Sequence, residues 1–167
     1  NILDMLETEV QDGVWDIEYD RCLRSHETVE VYITVPELRE ASVSGSGKVE
    51  LEDIFRGREF RSNVSGSGSV LLRLATEKLS TRISGSGTIR AAGMADEQEI
   101  SVSGSGSYKA YDLDSRRAEV SISGSGQAEV DVERELSADI SGSGKVYYTG
   151  TPSVNTSVSG SGKVVKK

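Results

Sequence analysis

The tetrapeptide Ser-Gly-Ser-Gly occurs seven times in the chain. Its first serine is, in order, Ser44, Ser65, Ser84, Ser103, Ser123, Ser141 and Ser159. Successive copies lie 18 to 21 residues apart. An isolated Gly/Ser tract behaves as flexible coil, but self-similarity near 20 residues is typical of stacked structural repeats. We therefore expect every copy to form the same corner in one coil of a solenoid.

Alternating apolar residues flank every copy of the motif. The residue directly before it is always Val or Ile: Val43, Val64, Ile83, Val102, Ile122, Ile140 and Val158. The positions three and five residues before the motif, and five and seven residues after its first serine, are mostly apolar, and mostly polar residues lie between them. This period of two predicts half-buried strands. Each unit is then a strand, a corner, a second strand and a connection of variable length.

The repeat predicts an all-β, parallel β-helix of about seven coils over residues 38–167. An antiparallel meander would not require one corner to recur unchanged, whereas stacked coils do. Glycine supplies the backbone freedom of a sharp corner, and we expect one serine of each motif to turn inward and bond along the stack. Residues 1–37 do not repeat and are predicted to cap the same domain, with a short helix at 2–10 and strands near Trp15–Tyr19 and Val29–Val35.

Charge and composition exclude several classes of partner. The net charge is −8, and the whole excess lies in residues 1–43, which hold eleven acidic and three basic residues. Such a chain is a poor ligand for nucleic acid or anionic lipid. It has no apolar run long enough to span a membrane. Its one cysteine, Cys22, allows no intrachain disulfide. The chain begins at Asn1 without Met, so we expect a mature or trimmed form of a longer precursor.

The tandem SGSG units, preceded by "VEVYITVPEL" at residues 29–38, resemble the head GIN domain of auto-transporter adhesins of the bacterial cell envelope. This resemblance covers essentially the whole chain. It implies a right-handed parallel β-helix, export to the cell envelope, surface or exterior, and no established enzymatic activity. It carries no catalytic or binding residue to transfer.

The sequence contains few of the residue patterns that catalysis, metal binding or cofactor binding would require. His26 and Cys22 are the only imidazole and thiol, and they lie between two strand patterns rather than on a helix. A nucleophilic site needs a base and an orienting group beside the nucleophile. SGSG supplies no carboxylate for calcium, and no Cys/His cluster exists for zinc. We therefore predict no catalytic residue, no metal and no cofactor.

The best candidate for a binding site is the outward face of the strands that follow the corners. Six and eight residues after the first serine, the middle coils place aromatic and charged side chains together: Arg90, Lys109, Tyr111, Glu129, Asp131 and Tyr147. Such a face can bind sugars, or it can be a plain charge ladder in which Lys109 pairs with Glu129.

We expect a non-enzymatic surface module, an adhesin or structural protein, whose partner is a cell-surface glycan or an envelope protein. The alternative is a carbohydrate-binding or polysaccharide-active enzyme on the same fold. The oligomeric state does not follow from the sequence.

Overall fold

The computed structural model describes residues 6–7, 10–19 and 30–167. The chain forms two compact units, Asn1–Val35 and Pro36–Lys167. In the first unit, β1 (Leu6–Glu7) pairs antiparallel with β4 (Glu18–Tyr19). Between them, β2 (Val10–Gln11) pairs antiparallel with β3 (Val14–Trp15).

Two expectations for the first unit are wrong where the structure describes them. Leu6–Glu7 and Val10–Gln11 are strands, not part of a helix. The turn at Asp12 and Gly13, with φ of 52° and 78°, folds the chain back so that β2 pairs with β3, and this local pairing overrides the four-residue apolar spacing. Residues 30–35 form no strand despite their alternation, because a strand needs a pairing partner and none of the described strands provides one. The rest of 2–10 and Val29 lie outside the described residues.

The second unit is one parallel sheet wound into a solenoid. Its strands are β5 (Glu40–Gly45), β6 (Lys48–Glu50), β7 (Phe55–Gly66), β8 (Ser69–Gly85), β9 (Thr88–Gly104), β10 (Ser107–Gly124), β11 (Gln127–Gly142), β12 (Lys145–Gly150), β13 (Ser153–Gly160) and β14 (Lys163–Lys166). They stack in the order β5-β7-β8-β9-β10-β11-β12-β14, while β6 pairs with β8 and β13 with β11. All these pairs are parallel. The predicted solenoid of about seven turns is thus confirmed.

The stacking register places each motif on the one below. Ile83 pairs with Val102, Val102 with Ile122, and Ile122 with Ile140. These β-branched side chains are at most 2% exposed and form part of one continuous hydrophobic core. At the C-terminal end, Val158 of the same column is 43% exposed because no described strand stacks beyond it.

The corner is held by backbone groups. The first glycine of every motif has φ between +96° and +123°, a region that glycine tolerates and other residues rarely adopt. The serine that follows donates its backbone N–H to the carbonyl oxygen of the first motif glycine in the preceding coil. The bond from Ser105 to Gly85, for example, is 2.9 Å long. The expectation of an inward serine is wrong: both serines of every motif are exposed. Among the side-chain hydrogen bonds of the described residues, none involves a motif serine. The glycine conformation turns both hydroxyls outward, and at the corners the hydrogen bonds between coils are formed by backbone groups.

One polar pair lies inside the solenoid. The Tyr108 hydroxyl donates to Gln98 Oε1 at 2.6 Å, and both side chains are fully buried. The Gln98 amide donates in turn to the Leu113 carbonyl at 3.5 Å. Burial raises the pKa of the Tyr108 hydroxyl far above its usual range, so it remains a neutral donor.

Replacing Tyr108 by phenylalanine is expected to lower the free energy of unfolding by about 1–3 kcal/mol, because the buried Gln98 Oε1 would lose its donor. Denaturant titration of purified protein measures this. The matched control is Tyr111→Phe, since the Tyr111 hydroxyl has no hydrogen-bond partner. Equal losses at the two positions would contradict the role of the Tyr108–Gln98 bond.

Candidate functional site

The candidate face contains one continuous cross-strand row. Arg90, Lys109, Glu129 and Tyr147 are successive register partners on β9, β10, β11 and β12. Neighbouring strands lie about 4.8 Å apart, so side chains in a row of this kind contact one another. The structure therefore brings together four of the six predicted residues, in the order predicted by aligning the seven repeats on their motifs.

Tyr111 lies beside this row, in an irregular segment of β10. The register with β11 moves from Ala110–Val130 directly to Asp114–Asp131, so residues 111–113 have no counterpart on β11. The Tyr111 hydroxyl is buried and has no hydrogen-bond partner. Burial raises the pKa of this hydroxyl, and the nearby Glu129 charge and Tyr147 add to the effect. Tyr111 is thus close to Glu129 and Tyr147, with a donor that no protein group uses.

Asp131 does not align with Tyr111 as the repeat spacing suggested. Its register partners are Asp114 and Thr149, because residues 111–113 of β10 have no counterpart on β11 and Tyr111 is therefore out of register with Asp131. Asp131 also lines an open groove of about 710 Å³ that includes Asp114, Arg116 and Met94. It therefore lies where the candidate face meets this groove.

The predicted Lys109–Glu129 ion pair is not formed. None of the ion pairs among the described residues includes Arg90, Lys109, Glu129 or Asp131. Glu129 instead accepts a hydrogen bond from Gln127 Nε2 at 2.6 Å. The two basic side chains of the row consequently keep their donors available to a ligand.

Two residues of this face were missed in the sequence. Lys167 Nζ lies 4.9 Å from the centre of the Tyr147 ring, a cation–π distance. It is eight residues after Ser159, the first serine of the seventh motif, so extending the outward column by one coil would have found it. Gln127, which orients Glu129, precedes it by two residues on the same side of β11. The sequence did not distinguish Gln127 from the other polar residues that face outward along the strands.

Other kinds of site find no support in the described part of the chain. No group of three or more His, Cys, Asp or Glu side chains there is arranged to hold a metal ion. Cys22 and His26 lie outside the described residues. No helix among the described residues is long and apolar enough to cross a membrane.

Comparison with solved structures agrees with the architecture. A "putative adhesin" from Bacteroides fragilis is 23% identical with a TM-score of 0.89, and the match covers 99% of this chain and 78% of that one. A "Putative lipid binding protein" from Parabacteroides distasonis is 28% identical with a TM-score of 0.72, covering 99% and 80%. A "putative adhesin" from the same species is 25% identical with a TM-score of 0.77, also covering 99% and 80%. None of the proteins with curated descriptions matches the chain.

The described residues 36–167 define a parallel β-solenoid, and its candidate face is an open surface of the strands that follow the corners. Residues 1–152 match the family described as "Putative auto-transporter adhesin, head GIN domain". The chain belongs to this head GIN domain family, as its SGSG repeats predicted. The family description points to the cell surface or envelope.

Proposed function

We propose that the chain is a non-enzymatic binding module, exported and displayed at the cell envelope, that recognises a surface glycan through the candidate face. The observation that carries this proposal is the set of uncommitted polar groups around two tyrosines. Arg90 and Lys109 stand in the row without ion pairs, and the partly exposed Tyr111 and Tyr147 lie close to Glu129 in the same row. Aromatic rings supply apolar contact area with a polar edge, which is what a sugar ring requires.

The roles of the residues follow from their positions. Tyr111 and Tyr147 lie near Glu129, so a sugar that stacks on either ring has a carboxylate within reach for its hydroxyl groups. Gln127 holds that carboxylate by one oxygen, which leaves the other oxygen free to accept from a ligand. Arg90 and Lys109 extend the row with positive charge, and this favours an acidic sugar at that end.

A glycan array probed with the purified chain tests the binding function. We expect retention of one group of glycans, enriched in acidic sugars, and at least a tenfold loss of signal for the double variant Tyr111→Ala/Tyr147→Ala. The matched control is Tyr32→Ala, an exposed tyrosine in the first unit. Equal binding by both variants, or no bound glycan, would contradict the assignment of this face.

The enzymatic alternative is tested separately. Glu129 and Asp131 are the only acids among the six candidates, so both carboxylates of a glycosidase would have to come from them. We expect no release of reducing ends or unsaturated products when the chain is incubated with polyuronides. Product release that Glu129→Gln abolishes would instead establish a polysaccharide-active enzyme.

A lipid surface is the second candidate ligand, because one relative is described as a "Putative lipid binding protein". The last coil exposes Val158 and Val165, at 43% and 36%. Its charged residues are all basic (Lys163, Lys166 and Lys167), whereas the acidic excess that disfavours anionic lipid lies in residues 1–43. Sedimentation with vesicles containing anionic lipid tests this, and loss of vesicle binding in Lys163→Glu/Lys166→Glu with intact glycan binding would separate the two ligands.

A further inference from the structure

The outward side chains that precede each corner carry an ordered pattern of charge. We use the term ladder face for the outward residues six, four and two positions before the motif, together with its first serine, from β7 to β13. Its charged members are Glu59, Lys78, Glu97, Arg117 and Glu135 six positions before the motif, Arg61, Glu99 and Glu119 four before, and Arg82 and Asp139 two before. All of them are exposed or half-buried. The ladder face precedes the corners, whereas the candidate binding face follows them.

The outermost row of the ladder face alternates in sign. Lys78 pairs in register with Glu97, Glu97 with Arg117, and Arg117 with Glu135. When this row of four is reversed and laid on the original, every charge faces a charge of the opposite sign. It is therefore complementary to a reversed copy of itself, which is the requirement for an interface between two identical chains related by a two-fold axis.

A second row has the same centre of symmetry. Arg82, Ser101, Ser121 and Asp139 are successive register partners, with opposite charges at the two ends. Neither Arg82 nor Asp139 takes part in the ion pairs of the described residues. The centre of both rows lies between β9 and β10, so one axis satisfies both.

We propose that two copies of the chain associate through the ladder face, about a two-fold axis that runs along the strands between Ser101 and Ser121. This axis keeps each column of residues in place and reverses the order of the coils. It brings three kinds of opposite charge together, each twice: Arg82 with Asp139, Lys78 with Glu135, and Glu97 with Arg117 of the second copy. It also places Glu99 opposite Glu119, again twice, and this is the one kind of like-charge contact. Lys78 of the same chain lies 2.9 Å from the Glu99 carboxylate and offsets this charge.

A shallow groove in the ladder face fits the arginine of the second copy. The groove has a volume of about 340 Å³ and is lined by Asp139 and short serine side chains, including Ser121, Ser141 and Ser157. Arg82 of the second copy would point at Asp139 in this groove. A guanidinium can donate two parallel hydrogen bonds to one carboxylate, and the surrounding hydroxyls can accept its remaining N–H groups.

The size of the surface indicates a weak, reversible dimer. Four columns span about 20 Å along the strands and six coils about 29 Å along the stack, so each copy would bury on the order of 600 Å². The total is at the lower limit of specific interfaces. Such a dimer would leave both candidate binding faces available, and a multivalent surface ligand would then bind with increased avidity.

Sedimentation velocity of the full chain from about 5 to 500 µM tests the proposal. We expect concentration-dependent dimerisation that weakens as salt is raised, since the contacts are charged. Arg82→Glu and Asp139→Arg are each expected to raise the dimer dissociation constant at least tenfold, because each repels the second copy at two places. An equimolar mixture of the two variants should dimerise again, since each then offers the charge that the other lacks. The double variant Arg82→Glu/Asp139→Arg should also recover.

The matched control is Arg58→Glu, an exposed arginine of β7 outside the ladder face, which should dimerise like the unmodified chain. A chain that stays monomeric at 500 µM, or a mixture of the two single variants that fails to associate while each is folded by circular dichroism, would overturn the proposal. Dimerisation unaffected by either single reversal would also overturn it, because another surface would then hold the copies together.

Discussion

Replacing Ile122 by alanine is expected to lower the free energy of unfolding by about 2–5 kcal/mol. Ile122 is 2% exposed and stacks between Val102 and Ile140 in the continuous core. Its Cγ2 also occupies the space beside Gly144, where an added Cβ would come within 2.5 Å of it. The backbone above and below is fixed by the parallel ladder, so the surroundings cannot collapse into the cavity. Denaturant or thermal unfolding measures the loss.

Val158→Ala is the matched control for this prediction. It belongs to the same column but is 43% exposed in the last coil, so truncation should cost no more than about 0.5 kcal/mol. A similarly small loss at Ile122 would contradict its burial. It would imply a register shifted by one residue, which moves every side chain to the other face of the sheet.

Replacing Gly104 by alanine is expected to cost about 1–3 kcal/mol for the backbone conformation alone, since its φ is +111°. A further cost arises from stacking, because the added Cβ would lie 2.6 Å from the carbonyl oxygen of Gly85 in the coil below. Neither coil can move away without breaking the hydrogen bond from Ser105 to that carbonyl. The loss is measured as a shift in the denaturant midpoint.

The equivalent glycine of the last coil provides the comparison. Gly160 has φ of +123° and would meet the Gly142 carbonyl in the same way. Since no described strand stacks beyond it, the end coil can separate locally, and Gly160→Ala should cost clearly less than Gly104→Ala. Equal and negligible losses at both glycines would mean that the motif acts as a flexible linker and not as a structural corner.

The two glycines of each motif have different structural roles, and only the structure distinguishes these roles. Gly162, the second glycine of the last motif, does not have a positive φ. An added Cβ there would contact the Ile140 side chain at 2.5 Å instead of backbone. Both residues are glycine in every copy, so the repeat pattern gives them equal weight. The distinction arises because one glycine turns the chain and the other lies against the core of the coil below.

The sequence by itself determined the parallel solenoid, its corners and its inward columns. These features depend on spacing that recurs in every coil, such as the position of Ile122 directly before its motif, and stacking in register amplifies a weak local preference into a cooperative one. The row Arg90, Lys109, Glu129 and Tyr147 was found for the same reason, since the spacing after the corner is constant up to that point.

Only the tertiary structure decided the features that depend on unequal coils and on pairing partners. β10 places three residues, including Tyr111, where β11 has none, so Asp131 pairs with Asp114 and the candidate site is offset from its predicted form. The length of a connection is visible in the sequence, but the point at which the ladder absorbs the extra residues depends on both neighbouring strands. Likewise, Leu6–Glu7 became a strand because β4 pairs with it. Local periodicity cannot contain that information, because a strand is stabilised by hydrogen bonds to residues distant along the chain.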